Sequence, residues 1–185
     1  MNIPVLSTKP LYPSYSEQLL EIIAGIQAVS NKDFQTDVIE FIRPADTTPY
    51  TIGDVISDNS LLSLNLGFTG IFRIKSLAIM TNNITWSGKK IRVYLFDKAI
   101  SAYNDNIAYG IYYALFDYCM GFVDLTINSE VAGDCCYGIL NELNLIGDTD
   151  NNLIYFVPVI KDAVTPLNGQ RFKIRLETEI PSYLF

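Results

Sequence analysis

The side chains that could do chemistry in this chain are carboxylates, because it contains no histidine. Without histidine the commonest general base and the commonest metal ligand are missing, and with them every Ser-His, Cys-His and His-metal mechanism. What remains is a carboxylate pair, a lysine nucleophile or a phosphate loop, and the sequence signals none of the three. A carboxylate glycosidase needs two acids about 5 to 9 Å apart across a cleft. Asp97, Asp117, Asp124 and Glu142 are the acids from which such a pair would be drawn, and no motif singles out two of them. No catalytic residue is assigned, and the expectation is a protein that is not an enzyme.

Oxygen ligands at alternate positions suit a hard cation, which gives Gly147-Asp148-Thr149-Asp150-Asn151-Asn152 a calcium reading. The stretch lacks the glycine and the terminal bidentate glutamate of an EF-hand loop, so it reads as an Asx-rich turn. Cys119, Cys135 and Cys136 are odd in number and fit no Cys-x-x-Cys spacing. They are expected as buried, reduced thiols, with a strained bridge between the neighbours Cys135 and Cys136 as the alternative. No metal and no cofactor is expected.

Charge narrows the partners. A net charge of −7 and a pI near 4.5 argue against nucleic acid, since affinity for phosphates depends on Lys and Arg releasing counterions. The basic residues are scattered, with Lys89-Lys90 the one adjacent pair. No run of about 18 apolar residues marks a spanning helix, so no membrane partner is expected. Met1-Asn2-Ile3-Pro4 shows no basic region leading into an apolar core, which predicts synthesis and initial retention in a cytoplasm.

The elements that would position these groups divide the chain in two, residues 1–33 as an arm and helix and residues 34–185 as a β domain. Pro4, Pro10 and Pro13, with Tyr12 between the last two, predict an extended arm. Ser14 and Glu17 have capping-box spacing, Leu19, Leu20, Ile22, Ile23, Ile26 and Val29 form one helical stripe, and Asn31 is a C-cap. A helix of about fifteen residues is marginal alone, so the stripe must be buried on its own sheet, on sister helices or on another protein. Tyr12, Tyr15, Leu19, Ile22, Ile23 and Ile26 are therefore the candidate partner-binding residues.

From Phe34 the period moves towards two. Strands are expected at Val38–Arg43, Leu61–Leu66, Phe72–Met80, Ile91–Phe96 and Gly121–Ile127. Asn82-Asn83 and Ser87-Gly88 mark turns on either side of Ile84-Thr85-Trp86. Leu153–Ile160 is an apolar strand whose Pro158 must lie at an edge or bulge. After the Asn168-Gly169 turn, Phe172, Ile174, Leu176 and Thr178 alternate with Lys173, Arg175, Glu177 and Glu179, as in a half-solvated antiparallel strand. Ile107–Phe116 is open to helix or strand, and Asp134–Asn144 is unassigned. Asp46, Thr47, Thr48 and Asp54 read as turn-shaping side chains. Short strands between such turns predict an all-β antiparallel sandwich.

Phe41-Ile42-Arg43-Pro44-Ala45-Asp46-Thr47-Thr48-Pro49-Tyr50-Thr51-Ile52-Gly53-Asp54-Val55 resembles an opening pattern of a group of small tailed-bacteriophage virion proteins. The likeness continues in order at Ile91–Phe96, Asn104–Tyr109, Gly121–Asp124, Thr165-Pro166 and Gly169–Phe172, across about residues 38 to 176. The resemblance implies a head decoration, or auxiliary capsid, protein with a jelly-roll-like sandwich. Its implied partners are the major capsid protein or other virion structural proteins. Its implied place is the capsid surface of the virion, after synthesis in the host cytoplasm. The first thirty-odd residues lie outside the resemblance.

A decoration protein needs a rigid body, exposed contact residues and often an arm. Twelve Tyr plus Trp86 offer large contact area at low entropy cost, although most aromatics are expected in the core. A homo-oligomer is expected for a shell component, and a trimer suits local three-fold positions. The alternative is a tail- or fibre-associated sandwich that binds a host-surface carbohydrate through Trp or Tyr clustered beside Asp and Asn. A single Trp counts against it.

Overall fold

Alternation in the sequence becomes two packed sheets in the computed structural model, which describes residues 33–35, 38–111, 113–128 and 135–180. Along these residues run β1 (Asp33–Gln35), β2 (Ile39–Ile42), β3 (Leu62–Asn65), β4 (Gly70–Thr81) and β5 (Lys90–Phe96). They are followed by β6 (Cys119–Thr126), β7 (Cys136–Leu140), β8 (Leu145–Thr149), β9 (Leu153–Ile160) and β10 (Arg171–Glu179). Two short 3-10 turns, η1 (Ile84–Trp86) and η2 (Tyr113–Tyr118), precede β5 and β6. The arm and the predicted helix lie outside the described residues. No helix among the described residues is long and apolar enough to cross a membrane.

All strand pairs are antiparallel. The first sheet runs β1-β10-β4-β7, with β2 also on β10 and β8 also on β4; the second runs β3-β9-β5-β6. Ile91, Val93 and Leu95 of β5 and Phe172, Ile174 and Leu176 of β10 meet in the core, as their period-two spacing requires. The fold is an all-β sandwich of two antiparallel sheets.

In β4 the alternation breaks. Phe72 and Ile74 point inward, and so do Leu77, Ile79 and Thr81. The phase changes because Ser76 pairs with Glu177 and Ile74 with Thr178, leaving Lys75 unopposed in a β-bulge. On its other side β4 changes partner at the same place, from β8 along Gly70–Ile74 to β7 along Leu77–Thr81. Leu143 N donates to the bulge carbonyl of Lys75 at 2.8 Å as the chain turns from β7 into β8.

β9 is apolar on both faces because both are covered. Ile154, Phe156 and Ile160 face the main core, while Tyr155, Val157 and Val159 form a second cluster with Val55, Phe96 and Ile100 on the outer side of the sheet. Pro158 departs from the expected edge or bulge, since β9 is an interior strand in unbroken register with β5. Its carbonyl accepts from Ile56 N at 2.9 Å, and in a strand the nitrogen points to the same side as the carbonyl. On that side β3 ends its pairing at Phe156, so the ring nitrogen sits where the outer partner changes from β3 to residues 54–56.

The unassigned Asp134–Asn144 stretch contains β7. Ile107–Phe116 follows neither expected pattern: Ala108 makes one bridge to Asp54, and Tyr113 opens η2. The two sheets are joined at one end by the bridge Asn128–Tyr137, beside Gly138, where a Cβ would lie 2.6 Å from Thr126 O. Gly138→Ala is therefore expected to lower stability by roughly 1–3 kcal/mol in urea unfolding, the usual range for overpacking. Gly110→Ala, with nothing within 4 Å of its added methyl, serves as the near-neutral control. Equal midpoints for the two variants would contradict this packing.

Candidate functional site

Arg43 follows β2 and should be solvated by its charge, yet its side chain is 0% exposed. Its Nε donates to Tyr50 Oη at 3.0 Å, and its Nη1 donates to the carbonyls of Asp46 (2.5 Å) and Leu167 (3.5 Å). Nη2 donates to Asp46 Oδ1 at 3.0 Å and to Asp105 Oδ2 at 2.8 Å. The guanidinium has five N–H donors, and these contacts occupy all five. Tyr50 in turn donates to Asp105 Oδ1, which also accepts from Ser57 N at 3.0 Å.

The electrostatics follow from that geometry. Burial pushes the Tyr50 phenol far above its ordinary value, and the Asp105 carboxylate adds to the effect, so the phenol keeps its proton. Burial alone would lower Arg43, but Tyr50, Asp105 and Asp46 outweigh it and hold the guanidinium charged. Thr48 N and then Arg43 draw Asp46 below the usual carboxylate range. The cluster resembles an active-site triad in residue types, but its donors and acceptors are turned on one another inside the protein. It is a clamp, tying the end of β2 to the 103–106 loop 62 residues away.

A second buried group continues the clamp. Gln170 Oε1 accepts from Trp86 Nε1 and Asn83 Nδ2, both at 3.1 Å, and from Leu167 N at 3.0 Å. Its Nε2 donates to Thr81 Oγ1 at 2.6 Å, and its carbonyl accepts from Arg43 N at 3.1 Å. Trp86, offered by the sequence as a contact residue, is instead fully buried, packed edge-on against Tyr50 and Phe172. Its indole N–H has its partner inside the core, which fixes it there.

Asp97 and Asp124 are kept apart, and neither hydrogen-bonds to Asp117 or Glu142. Arg92, opposite Asp124, precedes Asp97 by five positions along β5. That is about 17 Å of extended strand, beyond glycosidase spacing. Asp124 is held by Arg92 through bonds of 2.7 and 2.8 Å, and this pairing sets its carboxyl below the usual range. Asp117 and Glu142 are exposed, in η2 and in the β7–β8 turn. Among the described residues no three His, Cys, Asp or Glu gather as a metal site. Thr149 and Asn151 close the 150–152 turn on each other, with Asn151 Oδ1 accepting from Leu153 N at 3.1 Å. Asp46 and Asp54 likewise accept from Thr48 N and Thr51 N, as turn-shaping residues should. The three cysteines are free, with no bridge between Cys135 and Cys136, but only Cys136 is buried as expected, Cys119 and Cys135 being half-buried; burial raises the Cys119 and Cys136 thiols.

What the outer surface offers is aromatic. Tyr113 is 97% exposed, Phe116 72% and Phe122 49%, along η2 and the strand it leads into. Phe122 stands on a packed base, where Tyr94 meets it at 5.7 Å and Tyr109 at 4.7 Å and Tyr103 meets Tyr109 at 5.1 Å, and η2 is tied to the same cluster through Leu115. Arg92 lies 3.8 Å over the Phe122 ring and Lys98 5.6 Å over Tyr118. Nothing in the sequence of the Ile107–Phe116 run signals that Tyr113 and Phe116 face out while Tyr109 packs on the outer cluster. Tyr12, Tyr15, Leu19, Ile22, Ile23 and Ile26, the candidate partner-binding residues, lie outside the described residues. No protein-family model and no curated protein sequence matches the chain.

Asp97 supplies a pH test. Burial raises its carboxyl above the ordinary value, against the bond it accepts from Asp148 N at 3.3 Å. The folded state then holds a proton that the unfolded state releases, so this contribution is present below about pH 3.8 and is lost as pH rises through the folded-state value. Asp97→Asn is expected to raise the urea midpoint at pH 7, with the gain shrinking as pH falls through the folded-state value and gone by about pH 3.8. A loss of stability at pH 7 would contradict the assignment.

Proposed function

We propose that this protein is a non-enzymatic virion structural protein of a tailed bacteriophage, one that decorates and stabilises the head through protein–protein contacts. The observation that carries the reading is the aromatic ledge of Tyr113, Phe116 and Phe122 on a rigid sandwich. Aromatic side chains exposed on a braced surface bury much area on binding and lose little entropy. The collinear resemblance over residues 38–176 supplies the virion context.

Strand order supports a jelly-roll form of the sandwich. β2-β10-β4-β7 facing β3-β9-β5-β6 is the interleaving expected of two Greek keys, with β1 and β8 added at the sides. That architecture serves viral capsids and lectins alike, so the surface must decide between them. The single Trp is in the core and unavailable to stack on a sugar, which favours the capsid reading. On it, the partner is the major capsid protein or a neighbouring virion protein, the protein acts as a homo-oligomer with a trimer matching three-fold positions, and the site is the outer capsid surface.

The test is co-sedimentation of the purified full-length protein with assembled shells of the virus that encodes it. Saturable, stoichiometric binding is expected, and Phe116→Glu should weaken it at least about tenfold, the effect of a lost hot-spot ring. No binding to shells, or binding to a glycan array in its place, overturns the proposal.

A further inference from the structure

The outer face of the first sheet carries the ion pairs of a solvated face, Glu40 with Lys173 and Arg73 with Glu179 among them, but one stretch of it is apolar. Val38 and Arg175 follow the Ile39–Ile174 pair, and Ala78 and Ile139 continue the same cross-strand row over β4 and β7. The next row places Met80 beside Lys173. Val38, Met80 and Ile139 are each exposed by more than two-fifths. Together these residues line an apolar groove of about 270 Å³, with the stems of Lys173 and Arg175 along it.

We infer that this groove is the seat of the chain's own segment 14–31, whose stripe Leu19, Ile22, Ile23 and Ile26 docks across β10, β4 and β7. Three observations converge. At helical spacing those four residues fall on one face, while Glu17 and Glu21, the segment's only charged residues, fall on the opposite one. The segment is delivered to this sheet, because β1 begins at Asp33 opposite Glu179 on the same edge of β10 that β2 occupies further along. The lengths match as well: from Glu179 to the Arg175 row is about 13 Å of strand, and eighteen helical residues extend about 27 Å. The inference stands apart from the virion reading. It chooses one of the three burial sites open to the stripe and leaves the aromatic ledge as the outward contact surface.

The test is amide hydrogen exchange on the full-length protein, with mass measured by light scattering over a range of concentrations. Residues 19–26 are expected to exchange at least about 100-fold more slowly than an isolated helical peptide of that sequence, by a factor that changes neither with concentration nor with the measured mass. Ala78→Glu or Ile139→Glu should remove that protection while the amides of β5 and β10 keep theirs. Ile23→Asp should do the same from the other side of the contact. Fast exchange at 19–26 in the unmodified protein, or protection that survives both groove variants with the sandwich intact, overturns the inference. Protection that grows with concentration alongside a rising mass overturns it too, assigning the groove to a second copy.

Discussion

A charged guanidinium shut away from water is the constraint on which much of this fold depends. Burying an ion costs several kcal/mol unless its partners are in place, and Arg43 draws those partners from separate parts of the chain. Asp46 and Tyr50 come from the turn after β2, Leu167 from the turn before β10, and Asp105 from a loop on the far side of the second sheet. Satisfying Arg43 brings these segments to one point. Once they meet, residues 53–57 are pinned along β9 and the 98–109 loop is pinned over them, which creates the second apolar cluster around Val55, Phe96 and Tyr155.

That second cluster links stability to surface. Tyr94, Tyr103 and Tyr109 rest on it together with Leu115 of η2, and Phe122 of β6 packs on Tyr94. A contact surface braced from beneath loses little conformational freedom on binding, so more of its interaction energy remains as affinity. The clamp, the outer cluster and the ledge form one chain of causes from a charge in the sequence to a proposed partner.

The parts of this that the sequence discloses are those governed by local spacing. β5 and β10 alternate cleanly because each buries one face, and the sandwich follows from them. β4 hides its register because the bulge at Lys75 shifts the period midway, and β9 hides its facing because both faces are covered. Pro158 misleads for a similar reason: a strand's outer partner can change within its length, which no local rule detects. The Arg43–Asp105 pair spans 62 residues, and its only local trace is an arginine followed by proline at the end of an apolar strand. Trp86 reads as a contact residue by type, and only Gln170, 84 positions on, shows why it is inside.

A double-mutant cycle on the clamp tests its central place most directly. Arg43→Met leaves the Asp105 carboxylate buried without its cation, and Asp105→Leu leaves the buried guanidinium with only the half-exposed Asp46, so each should cost about 3–5 kcal/mol in urea unfolding. The double variant removes both charges and should cost clearly less than the sum of the two, with the 98–109 loop exchanging its amides faster in each single variant. Additive losses, or single variants as stable as the parent, would contradict a fold organised around this pair.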